Sequence, residues 1–210
     1  MLRKTFDMIS VIVGVGLAIL LIIIGSVALW GYSYSSSQVH NQLAAQKIFF
    51  PPKSAFTPAA MAASHGEVTP AMIPYIEKYA GQEMTNGAQA KAFANHFIAI
   101  HLNEIGHGQT YAQLSTAARS LKPGTAAYTK AEATVQTVFQ GTTLRSMLLE
   151  AYGFWQIGQF ALIGSIIAYI VAFILLVILV PLGIWHMQET TDDSLLFIEE
   201  SDAAKKEETV

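Results

Sequence analysis

The feature that most constrains this chain is a pair of long apolar runs that carry no charge. No charged side chain occurs between Ala151 and His186, and no proline between Ala126 and Val180. Roughly 20 apolar residues cross a bilayer, so the second run is long enough to span one even when tilted. Reading back from it at the helical period, Val135, Val138, Phe139, Thr142, Leu149 and Tyr152 share a face. The expectation is one helix that begins in a folded domain and continues into lipid. The first run, Met8 to Trp30, is equally free of charge and holds Ile-Leu-Leu-Ile-Ile-Ile at 19–24. It corresponds to about 34 Å of helix, well beyond the roughly 7–15-residue apolar core of a signal peptide. Ser26-Val27-Ala28 imitates a cleavage site, but an uncleaved anchor suits the length better.

Composition agrees with two spans and a modest polar part. Of 210 residues, 52% are hydrophobic and 13% charged, with a mean hydropathy of +0.41. A net charge of -3 without a basic cluster argues against a nucleic-acid partner. The absence of cysteine excludes disulfides, thiolate metal sites and covalently attached haem of the c type.

Arg3 and Lys4 lie beside the first run, and the next basic residue is Lys47. The positive-inside rule therefore predicts a cytoplasmic N-terminus, and two spans return the C-terminus to the same side. Trp30, Tyr152 and Trp155 read as anchors at the outer interface, and Trp185 at the inner one. The expected plan is a cytoplasmic segment 1–7, a first span 8–31, an extracytoplasmic helical domain 32–150, a second span with its interfacial lead-in at 151–186, and an acidic cytoplasmic tail 187–210. This is an all-α membrane protein of the plasma membrane, its second span continuous with a long domain helix.

Within the middle segment, Gln38–Phe49 extends the first helix outward and Pro51-Pro52 ends it. Thr57-Pro58 predicts a short capped helix that stops by His65-Gly66. A further helix starts at Thr69-Pro70 or Ile73-Pro74 and stops at Gly81. Thr85 or Asn86 caps a stronger one over Ala88–Ile105, with Gly106 at its end. Thr110 caps Tyr111–Leu121, and Thr125 begins the exit helix. No stretch alternates at period two. From Gln188 onward the sequence is acidic and should be solvated and disordered. Leu195-Leu196-Phe197-Ile198 interrupts it, either as a transient helical turn or as a docking motif for a cytoplasmic partner.

Several pieces carry a resemblance: Gln42-Leu43-Ala44-Ala45-Gln46-Lys47-Ile48-Phe49-Phe50-Pro51-Pro52 after the first span; Gln89–Ile98 followed by His101-Leu102 and Gly108-Gln109-Thr110-Tyr111-Ala112; and Phe139-Gln140-Gly141-Thr142-Thr143-Leu144-Arg145 with Ala151-Tyr152-Gly153-Phe154-Trp155. Over roughly Lys4 to Leu182 the chain resembles a family of two-span membrane proteins widespread in actinobacteria. The resemblance implies topology and location. Members often carry an automatic label as aromatic ring-opening dioxygenases, but the family defines no catalytic residues and none is carried over.

His96, His101, Glu104 and His107 contain the ingredients of a two-His, one-carboxylate iron site. Their spacing does not favour it. On a regular helix His101 and Glu104 stand about 60° apart, but His96 lies about 140° from His101. His107 falls beyond the expected helix end, and no two histidines are four apart. Helix-end histidines are the plainer reading, with His101 and Glu104 as the first metal suspects. Thr110-Tyr111 after Gly106-His107-Gly108 lacks the lysine and the strand of a phosphate loop. Arg145, with Glu150 five residues later, reads as half of an ion pair or as a contact to a lipid phosphate or partner.

The spans hold no ionisable residue, which argues against transport by this chain alone. They do carry small residues at four-residue spacing, Gly14 and Ala18 in the first and Gly164, Ala168 and Ala172 in the second. Such faces let helices approach closely in lipid. The leading expectation is a non-enzymatic accessory or scaffold subunit, without a cofactor, that associates with other membrane or envelope proteins. The alternative is an extracytoplasmic module that binds a lipid, small ligand or metal.

Overall fold

The computed structural model describes residues 3–64 and 66–189. Among them the chain is all-helical, with one isolated antiparallel bridge, Phe49–Glu83, and no strand. Residues Ser33–Gln159 form one compact unit, and the flanking segments, up to Tyr32 and from Phe160, form the other. Two helices are long and apolar enough to cross a membrane, Thr5–Ala45 and Ala126–His186. Only 11% and 17% of their most apolar stretches are buried, far less than the core helix of a soluble domain would show.

Helix α1 (Arg3–Ala45) begins inside the segment expected to precede the first span and stops four residues before the expected end at Phe49. The stop is local. The amide of Gln46 donates to Leu43 O and that of Lys47 to Ala44 O, both at 3.0 Å, and Lys47 takes a left-handed φ of 52°. The chain then runs extended, with Phe50 N donating to Gln82 O (2.9 Å) and Met84 N to Ile48 O (2.8 Å).

A turn of 3-10 helix at Lys53–Phe56 leads to α2 (Pro58–Ala63), where Thr57 Oγ1 accepts from Ala60 N with proline in the first turn, as the Thr-Pro pair predicts. Helix α3 (Ile73–Ile76) starts at the Ile-Pro signal and tightens into a 3-10 turn ending at Tyr79. Gly81, at φ 69°, supplies the left-handed residue that closes it.

Asn86 caps α4 (Gly87–Phe93) through a full capping box. Its Oδ1 accepts from Gln89 N at 3.0 Å, and Gln89 Oε1 accepts from Asn86 N (3.2 Å) and Thr85 N (2.8 Å). Gln89 is buried, and Nε2 donates to Gln82 Oε1, so both ends of its amide are satisfied. The single helix expected over 88–105 is interrupted by a π turn at Ala94–Ile98 before α5 (Ala99–Ile105). Gly106 follows in a right-handed conformation, and His107 (φ 50°) holds the left-handed position instead. Gly106 is required for space: a Cβ there would lie 2.7 Å from Gln109 O. Thr110 and Gln113 form a second capping box on α6 (Tyr111–Arg119).

Helix α7 (Ala126–Ile174) is 49 residues long, and after a π turn at Leu175–Leu179 the helical path ends with α8 (Val180–Glu189). Pro181 lacks the N–H that would bond Val177 O, and widening the preceding turn relieves the clash of its ring. Helix α8 takes the first residues of the segment expected to be a disordered tail into regular structure. Leu195–Ile198 lies outside the described residues.

The core of the Ser33–Gln159 unit gathers Val39 and Leu43 of α1, Phe50, Met72, Ile76, Met84, Phe93 and Ile98, and Leu148 of α7. Phe50 meets Phe93 edge to face at 5.4 Å and Tyr79 at 5.1 Å. The buried Ser35 of α1 donates to Phe154 O at 2.8 Å, tying α1 to α7 by a bond that neither apolar pattern foretells.

Candidate functional site

The small residues of the two apolar helices are placed unequally. Within the unit formed by the flanking segments, Ala18, Ser165, Ala168 and Ala172 are buried. A Cβ at Gly25 would stand 3.4 Å from Ala168 Cβ and 3.2 Å from Tyr169 Cε1. Ser26 Oγ donates to Ile22 O at 2.7 Å and receives the Tyr169 hydroxyl at 3.0 Å. Gly14 makes an ordinary contact, its Cβ position 3.6 Å from Val180 Cγ2. Gly164 sits elsewhere: no heavy atom lies within 4 Å of where its Cβ would be. The four-residue pattern missed Gly25 and also Gly183, whose Cβ would meet Val11 Cγ2 at 2.8 Å. At one end of the pair His186 Nδ1 lies 3.1 Å from Asp7 Oδ2.

Of the aromatic anchors, Trp30 and Trp185 are largely exposed. Tyr152 receives a hydrogen bond from Lys91 Nζ at 3.2 Å, and the same ammonium lies 4.6 Å from the ring centroid. Trp155 packs against the core cluster and over Gly87, so it also holds α4 to α7.

The histidine cluster does not converge. His96 stacks on Tyr75 with ring centroids 3.6 Å apart and planes 5° from parallel. Burial, and secondarily the neighbouring Lys91, holds its pKa below the usual 6.5. His101 Nδ1 donates to Phe97 O at 2.9 Å, and its ring meets Phe97 edge to face. Glu104 is exposed and points toward Gly66, its Oε2 3.8 Å from the Cβ position there. Among the described residues no three His, Asp or Glu side chains gather as a metal ion would need.

Arg145 takes a partner the sequence did not suggest. Its Nη2 donates to Asn95 Oδ1 at 2.9 Å, while Nε is buried without a hydrogen bond. Asn95 belongs to the π turn, and a π turn displaces the side chains that follow it relative to a regular helix.

Within the Ser33–Gln159 unit a groove of about 840 Å³ lies between α1 and α7. Val39, Leu43 and Leu148 lie deep in it. One wall carries Gln38 and Gln42, one helical turn apart on α1, and Gln46 in the turn just beyond its end. The other carries Leu144, Met147, Glu150, Phe154 and Ile157 of α7. Met147 is 61% exposed and Ile157 66%, high values for large apolar side chains.

These features define an all-helical chain with two helices long and apolar enough to cross a membrane and a grooved helical unit. No protein-family profile, curated protein or solved structure matches it.

Proposed function

We propose that the chain is a two-span protein of the plasma membrane, kin to the actinobacterial two-span family, with both termini cytoplasmic and the helical domain of residues 32–150 outside. It acts without catalysis, as an accessory or scaffold subunit for other membrane or envelope proteins. The observation that carries this reading is the use to which the reactive-looking side chains are put. His96 stacks on Tyr75, His101 bonds Phe97 O, Arg145 bonds Asn95 and Lys91 bonds Tyr152, each in a local structural contact. The small-residue seam at Ala18, Gly25, Ala168 and Ala172 supports a close pair of spans. Arg3 and Lys4 support the orientation. Affinity purification of the full chain in mild detergent at native expression tests the proposal. Recovery of defined membrane or envelope proteins supports it, and a bare monomer contradicts it.

The groove favours a second reading, an extracytoplasmic binding module. Its volume falls within the roughly 300–1,000 Å³ range of ligand sites, and its apolar floor with a polar row matches an amphiphile. His101 and Glu104 do not enter it.

A further inference from the structure

We propose that the groove between α1 and α7 holds an acyl chain of a membrane lipid whose head group is zwitterionic or neutral. This rests on the ligand-binding reading and names its ligand class.

Shape comes first. The cavity is concave, walled by two helices and apolar along its base, whereas a surface that docks a folded partner is flatter. Its apolar lining includes side chains that the chain itself leaves exposed, Met147, Phe154 and Ile157. Removing such area from water is favourable, so these side chains favour an apolar occupant. Along α7 within this unit the exposed apolar positions run from Leu144 and Met147 through Phe154 to Ile157, a track that suits an acyl chain.

Charge narrows the head group. The lining contains one ionisable side chain, Glu150, and no lysine, arginine or histidine. An anionic head would meet that carboxylate unpaired, while an ammonium would be attracted to it. Among the described residues, the side-chain carboxamides of Gln38, Gln42 and Gln46 make no hydrogen bond within the chain, and each can donate to and accept from ester or hydroxyl oxygens.

The full chain, purified in mild detergent, is incubated with phosphatidylethanolamine or with phosphatidylglycerol of the same acyl composition and examined by native mass spectrometry. We expect phosphatidylethanolamine to be retained at least fivefold more. Gly153 lines the groove and its Cβ position meets nothing within 4 Å, so Gly153→Trp is chosen to place an indole at the lining. That variant should lose at least four fifths of the retained lipid at an unchanged Tm. If it melts early, Met147→Arg, at a mostly exposed position, replaces it. Glu150→Lys should turn the preference toward phosphatidylglycerol.

Equal retention by wild type and both groove variants means the lipid sits elsewhere and overturns the proposal. Preferential retention of phosphatidylglycerol by wild type overturns the head-group assignment and leaves the binding module standing. Wild type that retains neither lipid overturns the proposal, and a co-purifying protein lost in Gly153→Trp gives the groove to a partner instead.

Discussion

Gly87 lies flat against Trp155, so closely that a Cβ on the glycine would stand 2.6 Å from Trp155 Cβ and 2.7 Å from Cγ. The first residue of α4 thus touches the indole of α7 through hydrogen alone. Trp155, which sequence position suggests as an interfacial anchor, is also the side chain over which the N-terminus of α4 is laid.

Gly87→Ala should therefore destabilise the full chain by about 1–3 kcal/mol, the usual range for overpacking. Gly153→Ala provides the contrast. It sits within α7 with open space at its Cβ position, and replacing glycine inside a helix gains about 0.5–1 kcal/mol. Thermal melting in detergent followed by circular dichroism should lower Tm for the first and hold or raise it for the second. Equal effects would remove the Gly87–Trp155 contact from the account.

The Tyr75–His96 stack predicts a dependence on pH. Burial and Lys91 lower the His96 pKa in the fold, so below the ordinary value of 6.5 the unfolded chain takes up a proton that the native state resists. With more protons bound to the unfolded state, stability rises with pH. The contribution is complete above 6.5 and is lost as pH falls through 6.5 toward the lowered native value. His96→Phe should keep the stacked ring and flatten the pH dependence of Tm between about pH 7 and 5 relative to wild type. Identical profiles for both proteins would exclude the effect.

The two apolar helices can be tested by cross-linking, because the chain contains no cysteine. The Cβ position of Gly25 lies 3.4 Å from Ala168 Cβ, close to the roughly 3.5–4.5 Å that a disulfide needs. Gly25→Cys with Ala168→Cys should form an intramolecular disulfide in native membranes, read as a mobility shift without reductant. Gly25→Cys with Gly164→Cys should not, since the Cβ position of Gly164 meets no neighbour. The reverse pattern would put the seam on a different face.

What the sequence makes legible here is what local chemistry decides. Thr57-Pro58, Asn86, Thr110 and Thr125 each sit where a helix begins, because a side-chain oxygen beside free backbone N–H groups acts over three residues. The two long uncharged runs are likewise helical, as their length and composition lead one to expect. Tertiary choices were hidden. Nothing in Ala94-Asn95-His96-Phe97-Ile98 announces a π turn, yet that turn accompanies the Asn95–Arg145 bond and upsets angles computed for a regular helix. Leu102 and Gly141 meet so closely that a Cβ on the glycine would stand 2.5 Å from Leu102 Cδ2, a fit that depends on two helices far apart in sequence. The four-residue stripe included Gly164 and omitted Gly25 because spacing reports one helix face and not which neighbour stands opposite it. The groove escaped notice because its walls come from residues about 100 positions apart.

The central claim is that two apolar helices lie in the membrane with residues 32–150 between them on the outer side. Lys122 is exposed in the turn before α7, so Lys122→Cys in this cysteine-free chain offers one defined label. A membrane-impermeant maleimide applied to intact cells should modify Lys122→Cys fully, while Thr5→Cys reacts only after lysis. Modification of Lys122→Cys only after lysis would contradict the account.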